Sequence, residues 1–279
     1  MIIDFHAHVF PQKVRESRAA FFEGEPAFES IYNSSKARLI GFEELISNMD
    51  KAGVDKTVIF GFPWENENNY KRNNDYVLEA VQKYPKRLIG FCCFSPLSAG
   101  AAREAERALQ SGLSGVGELA SYNSGLSGEL IGVLSDVMSL CAGNNTPFLL
   151  HTNEPVGHIY PGKAPMNLSQ IYSFVKSYPD NRIVLAHWGG GLFFYALMKK
   201  EVRDSLRNVW FDTAASPFLY TPDVYRIAGE IIGFDKILFG SDYPLIGPER
   251  YFQEMDKSGI EPGNLKKIKG ENTAGLLNI

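Results

Sequence analysis

The chain has 279 residues, of which 44% are hydrophobic and 22% charged, and its formal net charge is -4. This composition is ordinary for a globular protein and excludes the disordered and low-complexity classes. The acidic balance provides no basic stripe that could neutralise phosphates, so nucleic acid is not expected as the main partner. A small-molecule ligand is expected instead, and the composition leaves open whether the protein is a homo-oligomer.

The three cysteines, Cys92, Cys93 and Cys141, form neither a disulfide framework nor a C-x-x-C site. Free buried thiols are typical of a reducing compartment. The chain has no signal-peptide pattern and no run of about 18 apolar residues that could cross a membrane. We therefore expect a cytoplasmic protein without a membrane anchor.

Short apolar runs alternate with segments of helical periodicity along the whole chain. This alternation is typical of a parallel sheet covered by helices. The predicted strands are residues 2–9, 57–62, 88–94, 115–120, 148–152, 183–187, 209–213 and 237–242, and the clearest helices between them are 43–52, 101–110, 130–141, 168–178 and 224–232. Eight strand-plus-helix units predict an α/β fold, a single-domain (β/α)8 TIM barrel over residues 1–279. A doubly wound open sheet is less favoured, because no G-x-G-x-x-G follows the first strand.

Two long segments interrupt this alternation. The first strand is followed by an insertion, residues 10–41, and the fifth by a Pro/Gly-containing loop, residues 155–167. Both follow the carboxyl ends of strands, where loops of barrels build lids and specificity pockets. We expect residues 10–41 to be a lid-like insertion within the single domain, and a tolerated surface insertion is the alternative.

His6 and His8 lie two positions apart in the first predicted strand. Side chains at i and i+2 of a strand point to the same face, so the two imidazoles converge. That is the geometry of a pair of metal ligands. A chance pairing on a half-buried strand is the alternative for this motif taken by itself.

Four more polar residues stand at the carboxyl ends of later predicted strands. They are Glu118, His151, His187 and Asp242, after strands four, five, six and eight. In a barrel these ends meet at one mouth, where active sites form. Buried carboxylates are costly unless they are paired or bind a cation, and imidazole with carboxylate suits zinc, manganese or iron. We predict a divalent metal site, with zinc expected first, one or two ions per chain, and His6, His8, Glu118, His151, His187 and Asp242 as ligands.

These motifs together carry a resemblance to a known family. The His6-Ala7-His8 pair, Glu118, His151, the run from His187 through Trp188 to Gly191, the run Gly240-Ser241-Asp242-Tyr243-Pro244 and the last helix, residues 267–277, resemble the metal-dependent amidohydrolase superfamily, amidohydrolase-2 branch. The resemblance covers residues 2–279. It implies that His6, His8 and Asp242 bind one metal ion, and that His151 and His187 bind or orient a second ion or the substrate.

Two patterns within that superfamily lead to different reactions. Members similar to aminocarboxymuconate-semialdehyde decarboxylase generally use one metal and lack a carboxylate after the fourth strand, whereas TatD-like hydrolases carry a Glu there. Glu118 therefore favours a hydrolase that cleaves an amide, ester or lactone bond in a small molecule with a metal-activated water. A decarboxylase or lyase of an unsaturated or aromatic acid is the alternative, favoured by His187-Trp188-Gly189, and a TatD-like nuclease is a second. As a further alternative, Glu118 does not bind the metal itself but accepts a hydrogen bond from a histidine that does.

Asp242 and His187 are the predicted catalytic residues. In the hydrolytic mechanism Asp242 moves the proton of the attacking water, and His187 or His151 stabilises the oxyanion. Residues just beyond strand ends could bind substrate, and those predicted to do so are Trp188, Tyr122, Tyr243 and Lys163. Asp4 is expected either to support His6 or to fill a lower polar layer of the barrel, and His158 to lie on the surface.

Overall fold

The computed structural model of the chain describes residues 1–279 and contains one sheet of eight parallel strands that neighbour each other in chain order. The strands are β1 (Ile3–His8), β2 (Lys56–Phe60), β3 (Leu88–Cys92), β4 (Gly115–Leu119), β5 (Phe148–Leu150), β6 (Ile183–Leu185), β7 (Val209–Asp212) and β8 (Ile237–Leu238). Helices connect them on the outside. The prediction of a single-domain (β/α)8 barrel is confirmed.

Fourteen α-helices surround and cover the strands. They are α1 (Gln12–Glu16), α2 (Pro26–Tyr32), α3 (Phe42–Ala52), α4 (Glu67–Lys83), α5 (Ala101–Gln110), α6 (Gly128–Val133), α7 (Ser135–Gly143), α8 (Leu168–Ser177), α9 (Lys200–Ser205), α10 (Ser216–Leu219), α11 (Asp223–Ile232), α12 (Pro248–Lys257), α13 (Pro262–Lys266) and α14 (Asn272–Leu277). Local chemistry sets several ends: the Asn167 side chain caps α8 reciprocally with Gln170, and α3 ends at Gly53, whose φ is 71°. None of these helices is both long and apolar enough to cross a lipid bilayer.

The strands end earlier than their apolar runs predict. The eighth run extends to residue 242, but β8 contains only Ile237 and Leu238. Asp242 has a φ of 59° and His187, after β6, a φ of 56°. A left-handed backbone cannot continue a strand. The chain therefore leaves the sheet where these two side chains turn towards the mouth.

The seam between β1 and β8 is closed by separate hydrogen bonds rather than a regular ladder. Phe5 N donates to Phe239 O at 2.7 Å, Asp242 N to His6 O at 2.9 Å, and His8 N to Tyr243 O at 2.8 Å. Asp4 also accepts hydrogen bonds from the backbone and hydroxyl of Ser241. The first strand and the segment after the last are thereby joined at the mouth.

One glycine permits a close approach of backbones beneath the mouth. Gly117 in β4 has a φ of 128°, and a Cβ placed there would lie 2.2 Å from the Leu149 carbonyl oxygen. Any other residue would push β4 away from β5. Because Glu118 is the next residue, the position of its carboxylate depends on this approach.

The insertion after β1 folds over the side of the mouth. Its α1 and α2 flank a short 3-10 helix, Arg18–Phe21. The Arg18 guanidinium donates to the carbonyls of Tyr32, Ser34 and Ala37. Phe28 packs on Trp64 with ring centroids 4.2 Å apart. These contacts give the segment a defined structure, and its role as a lid remains a prediction.

Candidate metal centre

The two histidines of β1 face a pair of carboxylates at the mouth. The Nε2 atoms of His6 and His8 each lie 3.6 Å from Glu118 Oε2. Asp242 Oδ1 approaches the same nitrogens at 3.6 Å and 3.4 Å. Residues from β1, β4 and the segment after β8 thus surround one small volume.

His151 and His187 lie on the other side of the same glutamate. His151 Nδ1 is 3.0 Å and His187 Nε2 3.3 Å from Glu118 Oε1. The His6 and His187 rings are 5.4 Å apart between centroids. The structure therefore brings all six predicted ligands together, with two histidines on each oxygen of Glu118.

Each of the four imidazoles is held from behind by an oxygen that can only accept a hydrogen bond. These outer contacts are His6 Nδ1 with Asp212 Oδ2 at 2.8 Å, His8 Nδ1 with Gly61 O at 2.8 Å, His187 Nδ1 with Ala214 O at 3.0 Å, and His151 Nε2 with Gly162 O at 3.1 Å. The outer nitrogen must donate, so in a neutral ring the inner nitrogen carries a lone pair. Four lone pairs then point at two carboxylates.

A cation would stabilise this cluster of four imidazoles and two carboxylates. His6 Nε2 is fully buried and has no hydrogen-bond partner, and an unpaired buried acceptor is costly. Three overlapping groups bring ligand atoms within 4.8 Å of one another: His6, His8 and Glu118; His6, His187 and Asp242; and Glu118, His151 and His187. Imidazole nitrogens with carboxylate oxygens match a transition-metal ion. The residues fit a divalent cation.

Electrostatics inside the cluster follow from the same contacts. Burial would raise the pKa of Glu118, but His6 and His151 outweigh it and hold that pKa well below its usual range. Burial also opposes the ionisation of Asp242, yet His8 and His6 keep its pKa lowered. Conversely, burial would lower the pKa of His187, and Glu118 raises it to about 9. The negative charge of Glu118 thus holds a proton on His187, and a metal cation could neutralise the same charge.

Backbone strain is concentrated at the cluster. His187, Trp188 and Asp242 have φ values of 56°, 62° and 59°, a region that residues with a Cβ rarely adopt. Such strain persists where the surrounding structure enforces it, and it marks functional sites. These backbone conformations direct two of the six clustered side chains, His187 and Asp242, towards the mouth.

Asp212, at the end of β7, was not recognised in the sequence. It is fully buried. Besides binding His6, it accepts hydrogen bonds at Oδ1 from the backbone nitrogens of His187 and Ala214. A buried run, Val209-Trp210-Phe211, ending in an acid was a signal of the same kind as Glu118. It supports His6 from outside the cluster.

The predicted substrate-binding residues divide into two pairs. Tyr122 lies 5.0 Å from the His151 ring, and Tyr243 follows Asp242 directly and its hydroxyl contacts Arg38 at 3.4 Å. Trp188 instead points into the core and donates to Ser216 Oγ at 2.8 Å. Lys163 is bound by Glu154 at 2.7 Å and by two carbonyls of its own loop. Only the first pair lies beside the cluster.

Two further expectations concern Asp4 and His158. Asp4 accepts from the backbone nitrogen of His6 at 3.1 Å and from Ser241, and it does not contact the His6 ring. It belongs to the layer that joins β1 to the segment after β8. His158 is exposed on the 155–167 loop, as predicted.

Comparison with known proteins identifies the family. The model of the amidohydrolase family matches residues 3–279. The chain belongs to this family. It is 26% identical over 254 residues, 75% of this chain and 76% of the relative, to gamma-resorcylate decarboxylase of Polaromonas sp. strain JS666.

Solved structures of the same fold carry similar names. The 5-carboxyvanillate decarboxylase of Sphingomonas paucimobilis matches with a TM-score of 0.77 and 17% identity, covering 100% of this chain and 99% of that one. A dihydroxybenzoic acid decarboxylase of Polaromonas sp. JS666, with bound manganese and the inhibitor 2-nitroresorcinol, matches with a TM-score of 0.73 and 19% identity, covering 99% and 96%. At these identities the structures establish the shared fold.

The prediction that the chain is a hydrolase of amides, esters or lactones is wrong. The curated relative and the structural neighbours described above are decarboxylases of aromatic carboxylic acids, which favours the alternative. Glu118 misled the prediction, because a carboxylate at the end of β4 does not by itself decide between hydrolysis and decarboxylation. A divalent cation is supported by the clustered side chains and by the manganese of one neighbour, and the choice of zinc is not.

Proposed function

We propose that this protein is a metal-dependent decarboxylase of an aromatic carboxylic acid. The observation that carries the proposal is the relative, a decarboxylase that aligns with three quarters of this chain. The mouth supports it, since a cluster of imidazoles and carboxylates lies beside the aromatic rings of Tyr122 and Phe62. Such a site combines a charged end for a carboxylate with an apolar wall for a ring.

His6, His8 and Asp242 would hold the ion together with Glu118 Oε2, and manganese is the ion we expect. When bound, a divalent cation supplies positive charge that attracts the substrate carboxylate and an adjacent oxygen. We infer one ion per chain. In this assignment His151 and His187 remain on the Glu118 Oε1 side, where they border the space next to the ion.

Asp242 is proposed to deliver the proton. Its side chain is 15% exposed, against 0% to 10% for the His6, His8 and Glu118 side chains around it, so it is the most open to the mouth. Its Oδ1 faces His6 and His8, which leaves Oδ2, an ionised carboxylate oxygen because the pKa is lowered, to take the proton of the ortho hydroxyl of the substrate and pass it to the ring carbon. The bond between the ring carbon and the carboxyl carbon breaks, its electron pair accepts that proton as a new C–H bond, and carbon dioxide leaves.

The two long segments are proposed to exclude water from this mouth. A Cβ added at Gly162 of the 155–167 loop would lie 3.5 Å from Ile31 Cδ1 of the insertion. The two segments therefore contact each other beside His151, which Gly162 also binds. Removing water strengthens the electrostatic interactions between the charged side chains of the mouth and the substrate.

The test is carbon dioxide release from benzoic acids that carry an ortho hydroxyl, measured with manganese-loaded protein of known ion content. We expect turnover with close to one ion per chain and loss of turnover after chelation. Asp223→Asn, at an exposed site in α11, serves as the matched control and keeps parental activity. Absence of turnover on all hydroxybenzoic acids by protein that holds its ion would refute the proposal.

A further inference from the structure

Two phenol groups beside the metal centre have hydroxyls that bind nothing in the protein. They belong to Tyr32, the last residue of α2, and to Tyr122, which follows β4. Burial raises the pKa of both hydroxyls, and the charges of Asp242 and Glu118 raise it further. Each hydroxyl thus stays protonated and can donate a hydrogen bond.

A continuous row of rings connects Tyr32 to the cluster. The Tyr32 and Phe62 centroids are 5.9 Å apart, and Phe62 and Tyr122 are 5.9 Å apart and nearly parallel, at 12°. Tyr122 then meets His151 at 5.0 Å. The insertion therefore contributes the Tyr32 ring to the row of aromatic rings that ends at His151.

The position of Tyr32 is fixed from the other side. Its ring packs on Phe10 at 5.4 Å and Phe28 at 4.8 Å, and Arg18 binds its carbonyl oxygen at 3.2 Å. The ring of this half-buried tyrosine is therefore held in one position. An immobilised donor with no internal partner is the usual form of a ligand-binding group.

We propose that Tyr32 is a specificity-determining residue which, together with Tyr122, binds a hydroxyl or other neutral polar substituent on the ring of the substrate. The inference rests on the proposed decarboxylase function for the identity of the substrate. It goes beyond that function by naming the residue that recognises the remainder of the ring.

The cations near the mouth limit what those substituents can be. Arg18 is occupied by three carbonyls, Lys163 by Glu154, and Arg38 by Glu44 at 2.6 Å. Lys163 and Arg38 are thus already paired with carboxylates, and the three bonds of Arg18 all come from its Nη1. A neutral ring hydroxyl, which needs no cation, is therefore the substituent that Tyr32 and Tyr122 suit best.

The decisive experiment compares Tyr32→Phe with the parent on a matched pair of benzoic acids, one with a ring hydroxyl distal to the carboxyl and one without it. The lost hydrogen bond should raise KM for the hydroxylated acid about tenfold with little change in kcat. The KM of the acid without the hydroxyl should not change. The inference would be overturned if the ratio of the KM values of the two acids were the same in Tyr32→Phe as in the parent.

Tyr84→Phe is the matched control. The hydroxyl of Tyr84 also has no side-chain partner, and the residue lies just before β3, at the opposite end of the barrel from the mouth. This variant should match the parent on both acids. Tyr122→Phe is the second test and should produce a similar KM effect, so the inference does not depend on the folding of one variant.

A binding measurement separates this inference from the proposed reaction. Calorimetric titration with 4-nitroresorcinol requires no turnover, because this phenol cannot lose carbon dioxide, and it has one hydroxyl beside its nitro group and one opposite it. Weaker binding by Tyr32→Phe in a protein that decarboxylates nothing would support the inference and refute the reaction. Unchanged binding in a protein that decarboxylates phenolic acids normally would do the reverse.

Discussion

Asp212 Oδ2 and His6 Nδ1 lie 2.8 Å apart and link the end of β7 to β1 across 206 positions of the chain. The carboxylate accepts a hydrogen bond from His6 Nδ1–H, which leaves His6 Nε2 facing Glu118 and Asp242 and available to a metal ion. Outer carboxylates of this kind orient metal-binding histidines and strengthen their basicity. The contact makes Asp212 part of the centre without making it a ligand.

Asp212→Asn should weaken metal binding by roughly 10- to 100-fold. An amide at this position presents an N–H either to His6 or to the backbone nitrogens of His187 and Ala214, so one donor meets another. Competition titration with a chelating dye measures the affinity. Asp223→Asn is the control, and an Asp212→Asn affinity equal to the parental one would show that this contact does not orient His6.

Asp242→Asn should lower kcat by at least about 100-fold, the usual contribution of a general acid. The fold should persist, because the Asp242 backbone nitrogen still donates to the His6 carbonyl. Product formation is measured at saturating manganese, with ion content determined on the same sample. Parental turnover by metal-loaded Asp242→Asn would remove this residue from the proton transfer.

Manganese binding should release protons. The pKa of His187 is about 9, so the ring is protonated at pH 7.5, and a cation on Glu118 and Asp242 removes the charge that holds this proton. Affinity should therefore rise with pH between about 7 and 9, by as much as roughly tenfold per pH unit. Calorimetry in two buffers of different ionisation enthalpy counts the protons. His158→Gln, at an exposed position, should release the same number, and a pH-independent affinity would contradict the prediction.

Gly117→Ala should destabilise the fold by about 3 kcal/mol, the sum of overpacking and an unfavourable φ. The added Cβ meets the Leu149 carbonyl at 2.2 Å, and backbone cannot move aside as a side chain can. Urea unfolding measures the difference. Gly128→Ala, where a Cβ meets nothing within 4 Å, should change stability by less than about 0.5 kcal/mol.

Much of the fold was predictable because each strand is an apolar run bounded by helical periodicity. The ends of the strands were less predictable: the predicted runs continue to His187 and Asp242, but β6 ends at Leu185 and β8 at Leu238, and both later residues have positive φ values. The six clustered side chains could be found because strand order brings carboxyl ends to one mouth. Asp212 was missed although it ends a strand, because nothing in the residue itself distinguishes a supporting carboxylate from a surface one.

Tyr32 and the reaction itself were beyond the sequence for a different reason. The position of Tyr32 depends on how the insertion folds back over Phe62, which involves packing between segments distant in the chain. Glu118 alone could not decide between hydrolysis and decarboxylation. The chemistry depends on what the mouth admits, and that is a property of the assembled walls.

The irregular seam between β1 and β8 has a consequence for the stability of the whole barrel. His6 and His8 stand on one side of that seam and Asp242 on the other, with only a few separate hydrogen bonds between them. An ion bound by these residues would connect the two sides of this seam. Metal binding and closure of the barrel would then be thermodynamically linked. Amide exchange at Phe5 and Asp242 would slow when the ion is bound.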